Sequence, residues 1–274
     1  MYFSRRIAMS LLLALASPIT AASGSQLWGT YSGSSSNIGL TPIDIATGAV
    51  APVINIGAVG SASVDDMASD PMRQPGVIWG VRNPLAGNQL VSIDPFSQQL
   101  LATTSINAPE AIRSLAIDPL TGAFYGASTA NLYQINNQTG ATTLVGPTAL
   151  AIDRALGFDS LGNLFGVANS NVLVSVNKQS GVTSTIATMP LTRMEDMAFD
   201  PDSGIMYGLG FGYSLYQINL TSGALTVVGS SLTRPAGMAF TDVPEPTTML
   251  LCFCILFIAA AQSSRHLLNR RVLG

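Results

Sequence analysis

The chain has 274 residues, 47% of them hydrophobic and only 10% charged. From Ser23 to Asp242 it holds seven Lys and Arg against fourteen Asp and Glu, a net of −7, which repels polyanions and argues against nucleic acid as a partner. Both cysteines, Cys252 and Cys254, and the single histidine, His266, lie beyond that stretch, so within it a Ser-His-Asp triad, a Cys-His pair, a His/Cys zinc site and a disulfide are all excluded.

Residues 1–22 read as a secretory signal peptide. Arg5 and Arg6 form the charged start, Ile7–Ala16 the apolar run, Ser17-Pro18 the break, and Thr20 and Ala22 the small residues before a cut after Ala22. The apolar run is too short to span a bilayer comfortably as a permanent anchor. Without cysteines, the domain behind it crosses into an oxidising compartment with no risk of mispairing.

From residue 26 onward the chain repeats itself. An apolar run with a small middle residue recurs at Met67-Ala68, Leu115-Ala116, Leu156-Gly157, Met197-Ala198 and Met238-Ala239, spaced 48, 41, 41 and 41 residues apart. An aromatic-glycine pair follows: Trp28-Gly29, Trp79-Gly80, Tyr125-Gly126, Phe165-Gly166, Tyr207-Gly208. A third run ends at Asp44, Asp94, Asn136, Asn177 or Asn219. A Thr-Gly or Ser-Gly turn and a β-branched fourth run come next, and in the second copy Phe96-Ser97-Gln98 lacks the glycine. Short runs rich in Val, Ile, Thr and aromatics, bounded by Gly, Asn, Asp and Ser, are strands. Four strands in about 41 residues match the period of a propeller blade; a β-sandwich leaves that period unexplained.

The predicted fold is therefore all-β, a five-bladed β-propeller over residues 23–242. Blade one starts at its second strand, near Gln26, and blades two to five begin at Asp66, Ser114, Ala155 and Asp196. The stray run Met238–Thr241 is expected beside Leu27–Tyr31, completing blade one and closing the ring. Small residues in the first strands, Ala68, Ala116, Gly157, Ala198 and Ala239, suit the crowded central channel. Asp200 and Asp202, in the turn Asp200-Pro201-Asp202-Ser203-Gly204, lack the further oxygen ligands of a calcium loop and read as turn chemistry. No metal and no cofactor is expected.

Residues 243–274 have three parts in order: Val243-Pro244-Glu245-Pro246, an apolar stretch within Thr247–Ser264, and a tail with Arg265, Arg270 and Arg271. Eighteen residues of helix span about 27 Å, just enough for a bilayer core, and the arginines place the tail in the cytoplasm. This end resembles the PEP-CTERM sorting signal, a motif family also labelled ice-binding protein C-terminal domain. The resemblance implies export in a Gram-negative bacterium, transient anchoring in the inner membrane, and cleavage near the motif by an exosortase-type transpeptidase. Tyr133–Gly146 and Tyr216–Gly229 are similar to repeats of bacterial exported propellers, a likeness that implies fold and not activity.

The connections that lead into the first strands carry Asp65, Asp66, Glu110, Arg113, Asp153, Arg154, Arg193, Glu195, Asp196 and Arg234. Charges of both signs at one channel mouth suit a polar ligand such as a sugar; alternatively they pair between blades and plug the channel. The expected role is non-enzymatic, with a polysaccharide or a surface protein as partner and no catalytic residue assigned. The competing reading is a carbohydrate-active enzyme using paired carboxylates. The only glutamates of the domain are Glu110 and Glu195.

Overall fold

The computed structural model describes residues 24–31, 37–58, 64–70, 72–82, 87–230 and 235–243. The proposed signal peptide, Arg234, and the C-terminal segment with Pro244, Glu245, Pro246, Arg265, Arg270 and Arg271 lie outside the described residues. Gly24–Val243 forms a compact unit of its own.

That unit is five four-stranded antiparallel sheets. Blade two runs β4 (Asp66–Ser69), β5 (Ile78–Arg82), β6 (Gln89–Asp94), β7 (Gln99–Ser105), and blade three β8 (Ser114–Ile117), β9 (Phe124–Ala127), β10 (Asn131–Ile135), β11 (Thr142–Pro147). Blade four runs β12 (Ile152–Phe158), β13 (Leu164–Ala168), β14 (Val172–Val176), β15 (Thr183–Thr188), and blade five β16 (Met194–Asp200), β17 (Ile205–Gly210), β18 (Ser214–Ile218), β19 (Leu225–Gly229). Blade one joins both ends of the unit: β20 (Pro235–Asp242) pairs with β1 (Ser25–Tyr31), followed by β2 (Asn37–Ile43) and β3 (Ile54–Ala58). Leu27 faces Phe240 and Trp28 faces Ala239 in that pairing. The first strands β20, β4, β8, β12 and β16 neighbour one another in a ring around the axis. Strands β12 and β16 begin earlier than the repeat predicts, at Ile152 and Met194, because a bulge before Ala155 and before Asp196 admits extra residues.

Five apolar clusters hold the ring, each between two neighbouring blades. The repeated aromatics reach across these seams. Trp28 meets Phe96 edge-on, Trp79 meets Phe124, Tyr125 meets Phe158 and Tyr207 meets Phe240, with centroids 5.0 to 5.6 Å apart. Inner strands are buried on both faces, as in β8 and β9, whereas outer strands such as β7 expose most side chains. The unit thus has a core of its own and no open seam, which is what independent folding requires.

The repeated Asp or Asn after each third strand makes an Asx turn. Asn136 Oδ1 accepts the amides of Gln138 and Thr139, and Asp44, Asp94, Asn177 and Asn219 do the same. The glycine that follows has a second duty. Gly140 has φ +69° and lies against the Ser105 carbonyl of the preceding blade, so a Cβ there would sit 1.9 Å from that oxygen. Where the second copy lacks glycine, Gln98 takes the left-handed conformation itself, at φ 59°.

Candidate functional site

The axis has two unlike ends. At the start of the first strands the equivalent positions are Asp66, Ser114, Ala155, Asp196 and Gly237. Asp66 and Asp196 are both fully buried and hydrogen-bonded side chain to side chain. Asp196 Oδ1 accepts the Met197 amide at 2.6 Å and Oδ2 the Met238 amide at 2.5 Å. Asp66 Oδ2 accepts the Leu115 amide at 3.1 Å, while Asp66 Oδ1 has no N–H or O–H donor among the described residues.

Two carboxyls in contact need a proton between them. Burial, and then the neighbouring acid, push Asp66 well above the usual carboxylate range. Burial pushes Asp196 up to about 8, against the hydrogen bonds it receives. The two acids titrate as a pair, and burial raises both. The pair is a buried plug inside the channel and does not line its mouth.

Glu195 and Glu110 are engaged with partners in the chain. Glu195, nearly buried, takes Arg154 Nη1 at 2.9 Å and Arg193 Nε at 2.7 Å, so Arg154 of blade four bridges to blade five. Arg193 also stacks over Phe211 with its guanidinium carbon 4.5 Å from the ring centre. Glu110 accepts from Ser128 Oγ, from Asn131 Nδ2 at 2.6 Å and from Tyr133 Oη at 3.2 Å; the Ser128 bond foremost holds its carboxyl below its ordinary range. Arg113 is exposed and its amide bonds the Ala127 carbonyl. Asp65 is half-buried, its amide on the Val81 carbonyl. The side chain of Asp153 lies outside the described residues, as does Arg234. The structure brings Arg154, Arg193 and Glu195 together and Asp66 with Asp196, and it keeps Glu110 apart in its own network.

Arg82, at the end of β5, joins this face without a counterpart in the repeat. Its side chain is among the largest fully buried ones, and among the described residues neither Nε nor Nη1 has a hydrogen-bond partner. Burial lowers its pKa. Its place at the hairpin between the second and third strands puts it on the charged face, but that position recurs as no charge in other blades, so the repeat carried no signal for it.

At the opposite end of the axis, to which the repeat pattern assigns no role, a cavity of about 400 Å3 opens. The five small residues, Ala68, Ala116, Gly157, Ala198 and Ala239, line its wall with Met67, Leu156, Met197 and Met238. Phe158, Phe199 and Phe240 widen it outward, and Met72, Leu120, Asp159, Asp202 and Asp242 stand at its rim. Met72 and Leu120 are exposed there. The turn Asp200–Gly204 belongs to this face. Asp200 Oδ1 accepts the Asp202 amide and Asp200 Oδ2 the Ser203 hydroxyl, the turn chemistry predicted for it. Ser25 donates its hydroxyl to Asp200 Oδ1 and its amide to Asp202 Oδ2 at 2.6 Å.

No family model matches the chain. No curated protein matches it either. Among solved structures, the chain is similar to one in the crystal structure of a nidogen/laminin complex, at 13% identity and a TM-score of 0.57, over 80% of this chain and 86% of that one. A protein from Lactobacillus plantarum has 17% identity and a TM-score of 0.42, over 78% of this chain and 68% of that one. At such identities the likeness to the first speaks for the propeller fold alone, and the second carries no argument.

Proposed function

We propose that this chain is an exported, non-enzymatic β-propeller that serves a binding or structural role at the cell surface or in the extracellular polysaccharide matrix. Residues 1–22 direct export, and the C-terminal segment holds the precursor in the inner membrane until an exosortase-type enzyme cuts near Val243–Pro246. One observation carries the reading. The last strand, β20, ends at Asp242, and the Val243 amide bonds the Gly24 carbonyl at 3.2 Å. Cleavage at the motif therefore costs the domain no strand and leaves the ring closed.

The test is a full-length chain with Pro244, Glu245 and Pro246 replaced by alanine, expressed in a Gram-negative host with an exosortase-type enzyme. The variant should remain full-length in the inner membrane while the parent is shortened and released. Equal mass and equal fractionation of the two overturn the sorting proposal.

The binding role is tested separately, by polysaccharide pull-down and glycan array with residues 24–243. Asp66 and Asp196 invite a glycosidase reading, because their pKa values are raised. A pair in hydrogen-bonding contact is closer than the roughly 5–5.5 Å of a retaining glycosidase and leaves no room for the water of an inverting one. Both acids are also buried from any polymer. Release of reducing ends from a captured polysaccharide would overturn the non-enzymatic reading.

A further inference from the structure

We propose that the apolar cavity binds an amphipathic cation, an alkyl or aryl amine whose hydrocarbon body fills the bore and whose ammonium sits beside Asp202 and Asp242. The proposal deepens the binding reading above by assigning a second site, at the end of the axis away from the charged connections.

The hydrocarbon part follows from the lining. Equivalent positions on the five first strands are all alanine or glycine, so the bore stays open where larger side chains would fill it. Its walls are methionine, leucine, alanine and phenylalanine, which give a sugar's hydroxyls little to bond and suit an apolar body. The buried Asp66–Asp196 pair lies one residue further along β4 and β16 and is not part of the lining. A volume of about 400 Å3 admits one small ligand and no polymer. Met72 and Leu120 add exposed apolar surface at the rim, and the unbranched Met72 side chain adapts to chains of varied length.

The head group follows from the acids at the mouth; the cations nearest it, Arg73 on the Pro119 and Leu120 carbonyls and Lys178 over the Phe158 ring, are paired with Asp70 and Asp118. Asp202 is exposed and Asp242 half-buried, and among the described residues no Lys or Arg forms an ion pair with either. Their like charges oppose each other: burial first, and then Asp202, raise the Asp242 carboxyl. One oxygen of Asp202 accepts the Ser25 amide; Oδ1 has no hydrogen-bond donor among the described residues. An ammonium placed there relieves the repulsion, and a carboxylate or phosphate head adds to it. The third acid, Asp159, has both oxygens occupied by Leu161 and Asn163 and contributes only field.

The experiment is calorimetric titration of residues 24–243 with hexyl-, octyl- and decyltrimethylammonium below their micelle concentrations, with decanol and decanoate as controls of the same tail. One-to-one saturable binding is expected, tightening about three- to fourfold per methylene as each leaves water. Decyltrimethylammonium should bind at least tenfold more tightly than decanoate. Joint Asp202→Asn and Asp242→Asn substitution should bring it to the decanol level. Ala198→Leu fills the bore and should abolish all binding; should that variant fail to fold, Leu120→Ser at the exposed rim should weaken every decyl ligand severalfold. Equal affinity for cation and anion, no dependence on chain length, or unchanged binding in the bore and rim variants overturns the proposal. Capture of a polysaccharide by a protein that ignores the decyl cation sinks this site and leaves the binding reading standing.

Discussion

Replacing Asp66 by asparagine should stabilise the domain at alkaline pH and leave it nearly unchanged at pH 5. In the wild type, the Asp66–Asp196 pair is raised in the folded state and ordinary in the unfolded one. The folded state therefore binds more protons between pH 4 and about 8, so stability is greatest below the unfolded pKa and falls as pH rises. Taking Asp196 alone, a displacement from 3.8 to about 8 at about 1.36 kcal/mol per pH unit sets a ceiling near 6 kcal/mol.

The substitution acts on a smaller quantity. Asparagine keeps an oxygen for the Leu115 amide and puts an N–H where Asp66 Oδ1 has no donor. It thereby gives Asp196 a permanent hydrogen bond in place of a titrating one. A buried bond made in place of one left unmade is worth about 1–3 kcal/mol, or roughly 3–10 °C in melting temperature for a domain of this size. Urea and thermal unfolding of residues 24–243 from pH 5 to pH 9 measure it. Asp242, raised by burial and Asp202, contributes in the same direction, so the slope should shrink and not vanish. Glu110, held low, contributes only as pH falls below the ordinary carboxylate range. A wild-type melting temperature that climbs from pH 5 to 8, or an Asp66→Asn protein less stable than wild type at pH 8, refutes the reasoning.

Ending the chain at Arg234 removes β20, and with it the buried Met238, Ala239 and Phe240. Loss of that strand costs several kcal/mol of apolar burial and should appear as a sharply lower melting temperature and aggregation through the bared edge of β1. Gly140→Ala forces a Cβ onto the Ser105 carbonyl at a left-handed position and should cost about 2–3 kcal/mol by urea unfolding. Gln98→Gly relieves the matching conformation in the second blade and should add up to about 1 kcal/mol. Glu195→Ala leaves Arg154 and Arg193 without their shared partner; both arginines are over a third exposed, so the loss is about 1 kcal/mol. Polysaccharide capture per folded molecule should be unchanged if the trio braces the blades and lost if it binds.

The ring was legible because every blade solves the same packing problem with the same residue types. Trp28, Trp79, Tyr125 and Tyr207 recur because each second strand must reach the next blade, and the glycine of each Thr-Gly turn recurs because it touches the blade before it. Even the exception at Gln98 keeps the conformation. The closing role of Met238–Thr241 was readable because an unpaired first strand has one vacant place in the ring. What periodicity does not carry is side-chain direction. The charged positions occupy equivalent connections, yet Asp66 and Asp196 turn into the axis while Arg154, Arg193 and Glu195 join across a seam. The cavity was hidden for a related reason. The alanines that line it read as a demand of crowding, and only their placement reveals that crowding stops short of the outer end.

The pairing of β1 with β20 also governs the order of events in folding. The Trp28 indole donates to the Thr241 hydroxyl across 213 positions of sequence, whereas every other blade is a meander of neighbours. Entropy of loop closure is lost before so distant a contact gives anything back. Blades two to five are therefore expected to form first and the circle to shut last. That final step must wait until β20, the last strand of the unit, is available. The domain becomes a finished ring only when its two ends meet in blade one.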